Sequence, residues 1–165
     1  MKNTYKILIS ICLLLVLSGC TQKTYTPVIE SEFSLNAVYK TGDFSYFCKI
    51  VRSGETVSVT PLTTHAKGMT IKFDGAKVSF LKDGMKKEFK REDIDSANPA
   101  IIIYEVFSSL ENAPEQKVRM KNSAFHYVGN TSVGTFTLIQ NKSNTLRSIS
   151  IPDAQIEIVF KVSPV

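Results

Sequence analysis

The feature that most restricts the fold is a period of two in the apolar side chains, repeated in short segments from residue 33 onward. Phe33, Leu35, Ala37 and Tyr39 alternate with Ser34, Asn36, Val38 and Lys40, and Phe44, Tyr46, Cys48 and Ile50 alternate in the next segment. Successive side chains of an extended strand point to opposite faces, so this pattern puts one face in a core and leaves the other to water. Turn formers separate the segments: Thr41-Gly42-Asp43, Ser53-Gly54, Asp74-Gly75 and Asp83-Gly84. Asp-Gly pairs supply the positive φ angles that tight hairpins require. Val57 and Val59 face one way on a third strand, Met69, Ile71 and Phe73 lie before Asp74-Gly75, Val78 and Phe80 return after it, and Phe89 marks a short strand beyond Asp83-Gly84. The expectation is a set of hairpin-linked antiparallel strands with one buried face.

One segment departs from this period. Asn98-Pro99 has the form of an N-cap followed by proline at the first helical position. Ile102, Ile103, Val106, Phe107 and Leu110 then recur at helical spacing and end near Asn112-Ala113-Pro114. Glu92, Asp93 and Asp95, just upstream, suit the positive end of a helix better than a metal or acid–base cluster, since no partner group is near in sequence. Strands resume with Val118 and Met120, continuing through Phe125 and Tyr127 with a bulge at Asn122-Ser123. Phe136 and Leu138 mark the next, followed by Leu146, Ile149 and Ile151, a turn at Pro152-Asp153-Ala154-Gln155, and Ile156, Ile158, Phe160 and Val162. A sheet of about ten strands must curl or split. The predicted fold class is mainly β with one lid helix (α+β): a curved antiparallel sheet forming an incomplete β-barrel.

The N-terminus carries an address. Lys2 and Lys6 precede an apolar run from Ile7 to Leu17, and Leu17-Ser18-Gly19-Cys20 closes it with small residues directly before a cysteine. This run is about half the roughly 20 residues that cross a bilayer. The order of charge, apolar run, small residues and cysteine is similar to the lipobox of bacterial lipoproteins, in which the cysteine is lipidated and becomes the new N-terminus. The resemblance implies export, acylation of Cys20 and an extracytoplasmic protein anchored by lipid to the cell membrane, or to the outer membrane where the host has one. Two or three acyl chains hold a protein durably where one binds marginally. The segment that follows, with Pro27 and no apolar periodicity, is expected to be a polar tether.

Composition excludes more than it selects. Loss of Lys2 and Lys6 lowers the formal charge from +5 to about +3, an ordinary balance that leaves only a weak attraction to an anionic membrane surface. Export makes nucleic acid a poor partner. Of the three cysteines, Cys12 goes with the signal and Cys20 is lipidated, so Cys48 has no disulfide partner. It shares the alternation phase of Phe44, Tyr46 and Ile50 and is expected to be a small buried hydrophobe. No Gly-rich phosphate loop, Gly-x-Ser-x-Gly elbow, Cys-x-x-Cys pair or His-x-x-x-His pair occurs, and His65 and His126 lie far apart. The expectation is a protein that is not an enzyme, with no cofactor and no metal. The basic stretch Lys82, Lys86, Lys87, Lys90 and Arg91 alternates with Asp83, Glu88 and Glu92, which describes a solvated hairpin.

Pro61-Leu62, the run Lys67-Gly68-Met69-Thr70-Ile71-Lys72-Phe73-Asp74-Gly75, and Val78-Ser79-Phe80 together resemble the bacterial lipoprotein-localisation family, the LolA/LolB-like carriers and receptors. The segment from Ser148-Ile149-Ser150-Ile151-Pro152-Asp153 to Phe160 is similar to the corresponding hairpin of clostridial-type lipoproteins with that fold. The resemblance spans roughly 33–162 and implies an incomplete barrel whose apolar hollow, lidded by helix, receives acyl chains. An own anchor at Cys20 makes the chain more like the receptor type. No arginine stands in a context matching the carriers' interior arginine; Arg52 is the nearest, and that role is not carried over to it. The organisation expected is therefore 1–19 signal peptide, 20–32 lipidated cysteine and polar tether, and 33–165 half-barrel domain. The hollow is expected to be lined by Leu35, Tyr39, Tyr46 and Val59 from the first strands, and by Met69, Ile71, Phe73 and Phe80 from the following hairpin. Ile103, Val106 and Phe107 would line it from the helix, and Phe136, Leu138 and Ile158 from the last strands. Two functions are compatible with this: a holder of lipid or of a lipoprotein's acyl chains, or a tethered interaction protein with a solid core. The sequence sets no oligomeric state.

Overall fold

A computed structural model describes residues 24–25, 28–112 and 116–161. The expected signal peptide, Cys20 and Val162 lie outside the described residues. The strands in chain order are β1 (Thr24–Tyr25), β2 (Glu32–Thr41), β3 (Phe44–Ser53), β4 (Thr56–Pro61), β5 (Thr70–Phe73), β6 (Lys77–Lys82) and β7 (Met85–Lys90). The helix α1 (Pro99–Glu111) follows, then β8 (Gln116–Lys117), β9 (Arg119–Lys121), β10 (Ala124–Thr131), β11 (Gly134–Asn141), β12 (Leu146–Ile151) and β13 (Ile156–Lys161). Eleven strands form one sheet in the order β7-β6-β5-β4-β3-β2-β13-β12-β11-β10-β9, while β1 pairs only with β8. Two meanders, one on each side of the helix in sequence, are thus joined where β2 pairs with β13. The edges β7 and β9 do not pair, so the sheet is curved but not closed.

The helix sets the curvature. It packs against β4 and β5 on one arm and β10 on the other, and five strands separate β4 from β10. In a flat sheet those six spacings would span roughly 29 Å, against about 10–12 Å for a helix with its side chains. One helix touches both only if the sheet wraps around it. Two glycines mark close approaches. A Cβ at Gly129 would stand 2.6 Å from the Phe136 ring and 2.9 Å from Ser109 Oγ on the helix. Gly75, at φ +90°, would put one 2.7 Å from the hydroxyl of Tyr104, also on the helix.

The expected helix signals are present. The Asn98 side chain accepts a hydrogen bond from the Ala100 amide at 3.1 Å, and Pro99 occupies the first turn. Ala100, Ile101, Ile102, Ile103, Val106, Phe107 and Leu110 are all buried. The acidic residues upstream do something more local than expected: Glu92 and Asp93 sit in a short 3-10 turn, and Asp95 caps the Ala97 amide at 2.8 Å. None lies in the first turn of α1.

Three other expectations change. Asn122 and Ser123 are not a bulge: both have positive φ (51° and 59°) and form the two-residue turn of a β9–β10 hairpin. Short polar side chains tolerate that left-handed region, which the alternation alone does not reveal. At Asp74-Gly75 only the glycine is left-handed; the Asp74 carboxylate accepts from the amides of Ala76 and Lys77 at 3.0 and 2.7 Å, which makes a longer Asx-type turn. The end of the expected tether is docked. Gln140 donates to the Val28 carbonyl at 2.9 Å, Arg52 to that of Glu30 at 3.3 Å and the Gly54 amide to that of Ser31 at 2.9 Å, with β2 starting at Glu32.

Replacing Gly129 with alanine forces a methyl group against Phe136 and Ser109. It is expected to cost about 1–3 kcal/mol, as overpacking does, measured as a lower urea midpoint with an unchanged slope. A variant with the midpoint of the parent would show that the helix does not approach β10 this closely.

Candidate ligand cavity

The inward phase of the sheet is the one the alternation selects, and every residue expected to line a hollow faces that way or lies on α1. Register shows it: Leu35 pairs with Ile50, Tyr39 with Tyr46 and Ile158, Val59 with Ile71, Phe73 with Val78 and Leu138 with Ile149. The concavity they enclose is mostly occupied. Val59, Ile103, Val106, Phe107, Phe136, Leu138 and Ile158 are fully buried and Phe73 nearly so, packed as one core around the helix. Met69, Tyr46, Leu35 and Phe80 are partly buried at its margins.

Space remains at one end. A cavity of about 750 Å³ opens beside the helix N-terminus, between the start of β3, the end of β4, the β4–β5 loop and the start of β5. Its walls are Phe44, Tyr46, Pro61, Met69, Ile71 and Pro99. Ser45, Thr63, Thr64, His65 and Ala66 complete the lining. Of the residues expected to face a hollow, Tyr46, Met69 and Ile71 line this cavity. An aromatic ladder leads inward from it: Phe44, Tyr46 and Tyr39 have ring centroids 5.7 and 5.4 Å apart in succession. Leu35 lines a smaller cavity of about 160 Å³ at the other end, with Ile29, Phe33, Gln140 and Leu146. The larger volume falls within the roughly 300–1,000 Å³ of ligand pockets, and the lining of apolar walls with a few hydroxyls fits an amphiphile.

The cavity exists because the helix stops short. Pro99 and Ala100 are the smallest apolar pair on α1, while β3 and the β4–β5 loop continue past them. Local bonds hold that loop: Phe47 N donates to Thr63 Oγ1 at 3.0 Å, Ala66 N to Thr64 Oγ1 at 3.2 Å and Gly68 N to the Pro61 carbonyl at 3.2 Å. None of the lining residues is acidic, and none is Lys or Arg. Among the described residues no group of three or more His, Cys, Asp or Glu is placed to hold a metal ion.

The opposite end is polar and tied. Arg52, only 5 % exposed, faces inward and donates to Glu111 at the helix C-terminus at 2.7 Å. Its guanidinium lies 5.2 Å from the centre of the Phe107 ring, which Phe33 meets edge-on at 5.3 Å. A buried guanidinium is tolerated when its donors are satisfied and the ion is paired. Gln140, also inward and buried, bonds Val28 and Asn144. The sequence signal for both was available: each continues an inward phase, Arg52 after Tyr46, Cys48 and Ile50, Gln140 after Phe136 and Leu138.

Cys48 is fully buried beneath the aromatic ladder, its thiol 3.7 Å from the Ala37 carbonyl. Burial pushes the thiol up to about 11. Tyr39 and Tyr46 are raised for the same reason, with the Cys48 charge adding to the effect. A thiolate nucleophile is therefore not available at neutral pH. No protein-family model matches the chain, and no curated protein matches it in sequence.

The raised groups fix a pH dependence. An acid whose pKa rises on folding contributes its full stability below the unfolded value and loses it as pH climbs through the folded one. For Cys48 that window runs from the ordinary thiol value of 9.0 to about 11. The melting temperature is expected to fall across this range, and Cys48→Ala to flatten the fall relative to the parent. A parent curve flat to pH 11 would contradict the burial of all three groups.

Proposed function

We propose that the chain is a membrane-anchored lipoprotein of LolA/LolB-like type, lipidated at Cys20, whose half-barrel holds an apolar ligand, a lipid or the acyl chain of a lipoprotein, at the cell envelope. The observation that carries this reading is the cavity at the helix N-terminal end. It is large enough for a chain of methylenes, lined by Phe44, Tyr46, Met69 and Ile71, and includes the hydroxyls of Ser45, Thr63 and Thr64, which can meet a polar head. The resemblance implies an incomplete barrel with a hollow lidded by helix; the curved, open antiparallel sheet agrees with the barrel, while the helix is packed within the concavity and leaves a cavity only at its end. Binding here needs no reaction, and the cavity offers no pair of groups for acid–base work.

A second reading has its own observation. The helix fills most of the concavity with fully buried side chains, as a tethered interaction protein with a solid core and no small-molecule ligand would require. The two readings differ at the cavity. Under the first, a fluorescent fatty acid binds and competes with unlabelled palmitate. Ala66→Trp, which adds an indole to the cavity lining, weakens it by about tenfold, equivalent to roughly 1.4 kcal/mol, with no loss of thermal stability. Uptake by the variant equal to that of the parent, or no uptake by either, would leave the solid-core reading standing.

The anchor is tested separately. Cys20→Ser is expected to abolish incorporation of labelled fatty acid into the chain in the producing bacterium and to leave the signal peptide uncleaved. Label retained in the variant would remove Cys20 as the attachment site.

A further inference from the structure

The convex side of the sheet carries an apolar row with no described residue over it. Phe47 pairs with Val38 and Val38 with Val159, all on the outward phase. The Leu62 amide donates to the Phe47 carbonyl at 2.8 Å and extends the line to the end of β4. Four apolar residues thus stand across adjacent strands over roughly 14 Å, at about 4.8 Å per strand. Phe47 is 49 % exposed and Leu62 38 %. These side chains add little to the core, and a contiguous exposed apolar row marks a contact surface.

The charges around the row indicate what it meets. On the outward phase of the strands the acidic residues are Glu32, Glu88 and Glu157. Glu157 is paired with Lys40 and Glu88 with Lys86, each at 2.8 Å. Lys49 and Lys161 flank Asn36 one register step from the row, and neither makes an ion pair among the described residues. Lys72 and Lys77 share the outward phase farther along; they act on Asp74 and Glu88 at longer range. The row therefore has an aromatic centre and a net basic surround. Lys49 and Lys161 lie toward the end where Val28–Ser31 joins the sheet.

We infer that this face rests on an anionic bilayer surface, with Phe47 and Leu62 at the headgroup boundary and Lys49 and Lys161 over the lipid phosphates. Phe and Leu side chains gain by burying their apolar surface at that boundary, and basic residues are drawn to it by the surface potential within a Debye length. The inference uses the anchor of the proposed function but does not depend on what the cavity holds.

The chain contains no tryptophan, so Phe47→Trp supplies a single reporter. The full chain, extracted from producing membranes, is reconstituted into vesicles of phosphatidylcholine alone or mixed equally with phosphatidylglycerol, with brominated acyl chains as quenchers. In the mixed vesicles the emission is expected to shift blue and fall by about twofold, an effect weakened by raised salt. Combining it with Lys49→Glu and Lys161→Glu should abolish the effect. Emission that is unquenched in both vesicle types overturns the inference, because the face then points to water. A blue shift that follows protein concentration and ignores bromination also overturns it, assigning the row to a second copy. Fatty-acid uptake measured on the same samples reports the cavity alone, so failure of either reading is visible without the other.

Discussion

An apolar helix that is buried on more than one side is the constraint from which the rest of the structure follows. Ile101, Ile102 and Ile103 are consecutive and fully buried. At about 100° per residue they sweep roughly 200° of the helix surface. Val106, Phe107 and Leu110 extend that coverage along the axis. A flat sheet can cover only one stripe of such a helix. Wrapping by a sheet whose two arms both reach the helix is the arrangement that removes the isoleucines from water. The join of β2 to β13 at the centre of the sheet supplies the length of arm on either side, and Gly75 and Gly129 let the arms come close.

Where the helix ends, the packing problem changes, and the two ends solve it differently. At the C-terminus the chain brings in charge: Arg52 reaches Glu111, covers Phe107 and ties down the Glu30 carbonyl. Midway along the helix, Arg91 and Glu105 meet at 3.3 Å, and Glu105 accepts from the Ser132 amide at 2.8 Å, which links the segment after β7 to the β10–β11 hairpin across the open seam. That tie lies to one side of α1. On the other side, Pro99 and Ala100 leave the start of β3 and the β4–β5 loop with nothing large to pack against, and the cavity is the result.

Much of this was legible because extended strands convert sequence phase into a face without ambiguity. Leu35, Tyr46, Val59, Ile71, Leu138 and Ile158 all lie inward as their alternation requires, and Asn98-Pro99 starts the helix where its capping chemistry says it should. The cavity was harder to see. Leu62 to Gly68 has no periodicity, and its shape comes from hydroxyl–amide bonds at Thr63 and Thr64 that no pattern of apolar residues encodes. Arg52 and Gln140 were on the right phase, but a polar residue in an apolar series looks like an interruption until its partners, 59 and 112 residues away in sequence, are known. Asn122-Ser123 fell between two meanings because a bulge and a two-residue turn both break alternation once.

The packed helix also limits how a ligand could be held. Lifting α1 out of the sheet would expose seven buried residues. At roughly 1.5–3 kcal/mol for each of the larger ones, the cost would be about 10 kcal/mol or more, comparable to the whole stability of a domain this size. Few apolar ligands bind tightly enough to offset that and still bind usefully. A ligand is therefore better accommodated in the space beyond Pro99, entering end-on along Phe44 and Tyr46, than in place of the helix. Such entry keeps the core intact and makes the size of the cavity, not the strength of the helix packing, the quantity that selects the ligand. It also reconciles a nearly solid core with the proposed binding, since a few side chains, among them Pro61, Ile71, Tyr46 and Met69, both stabilise the fold and would meet the ligand.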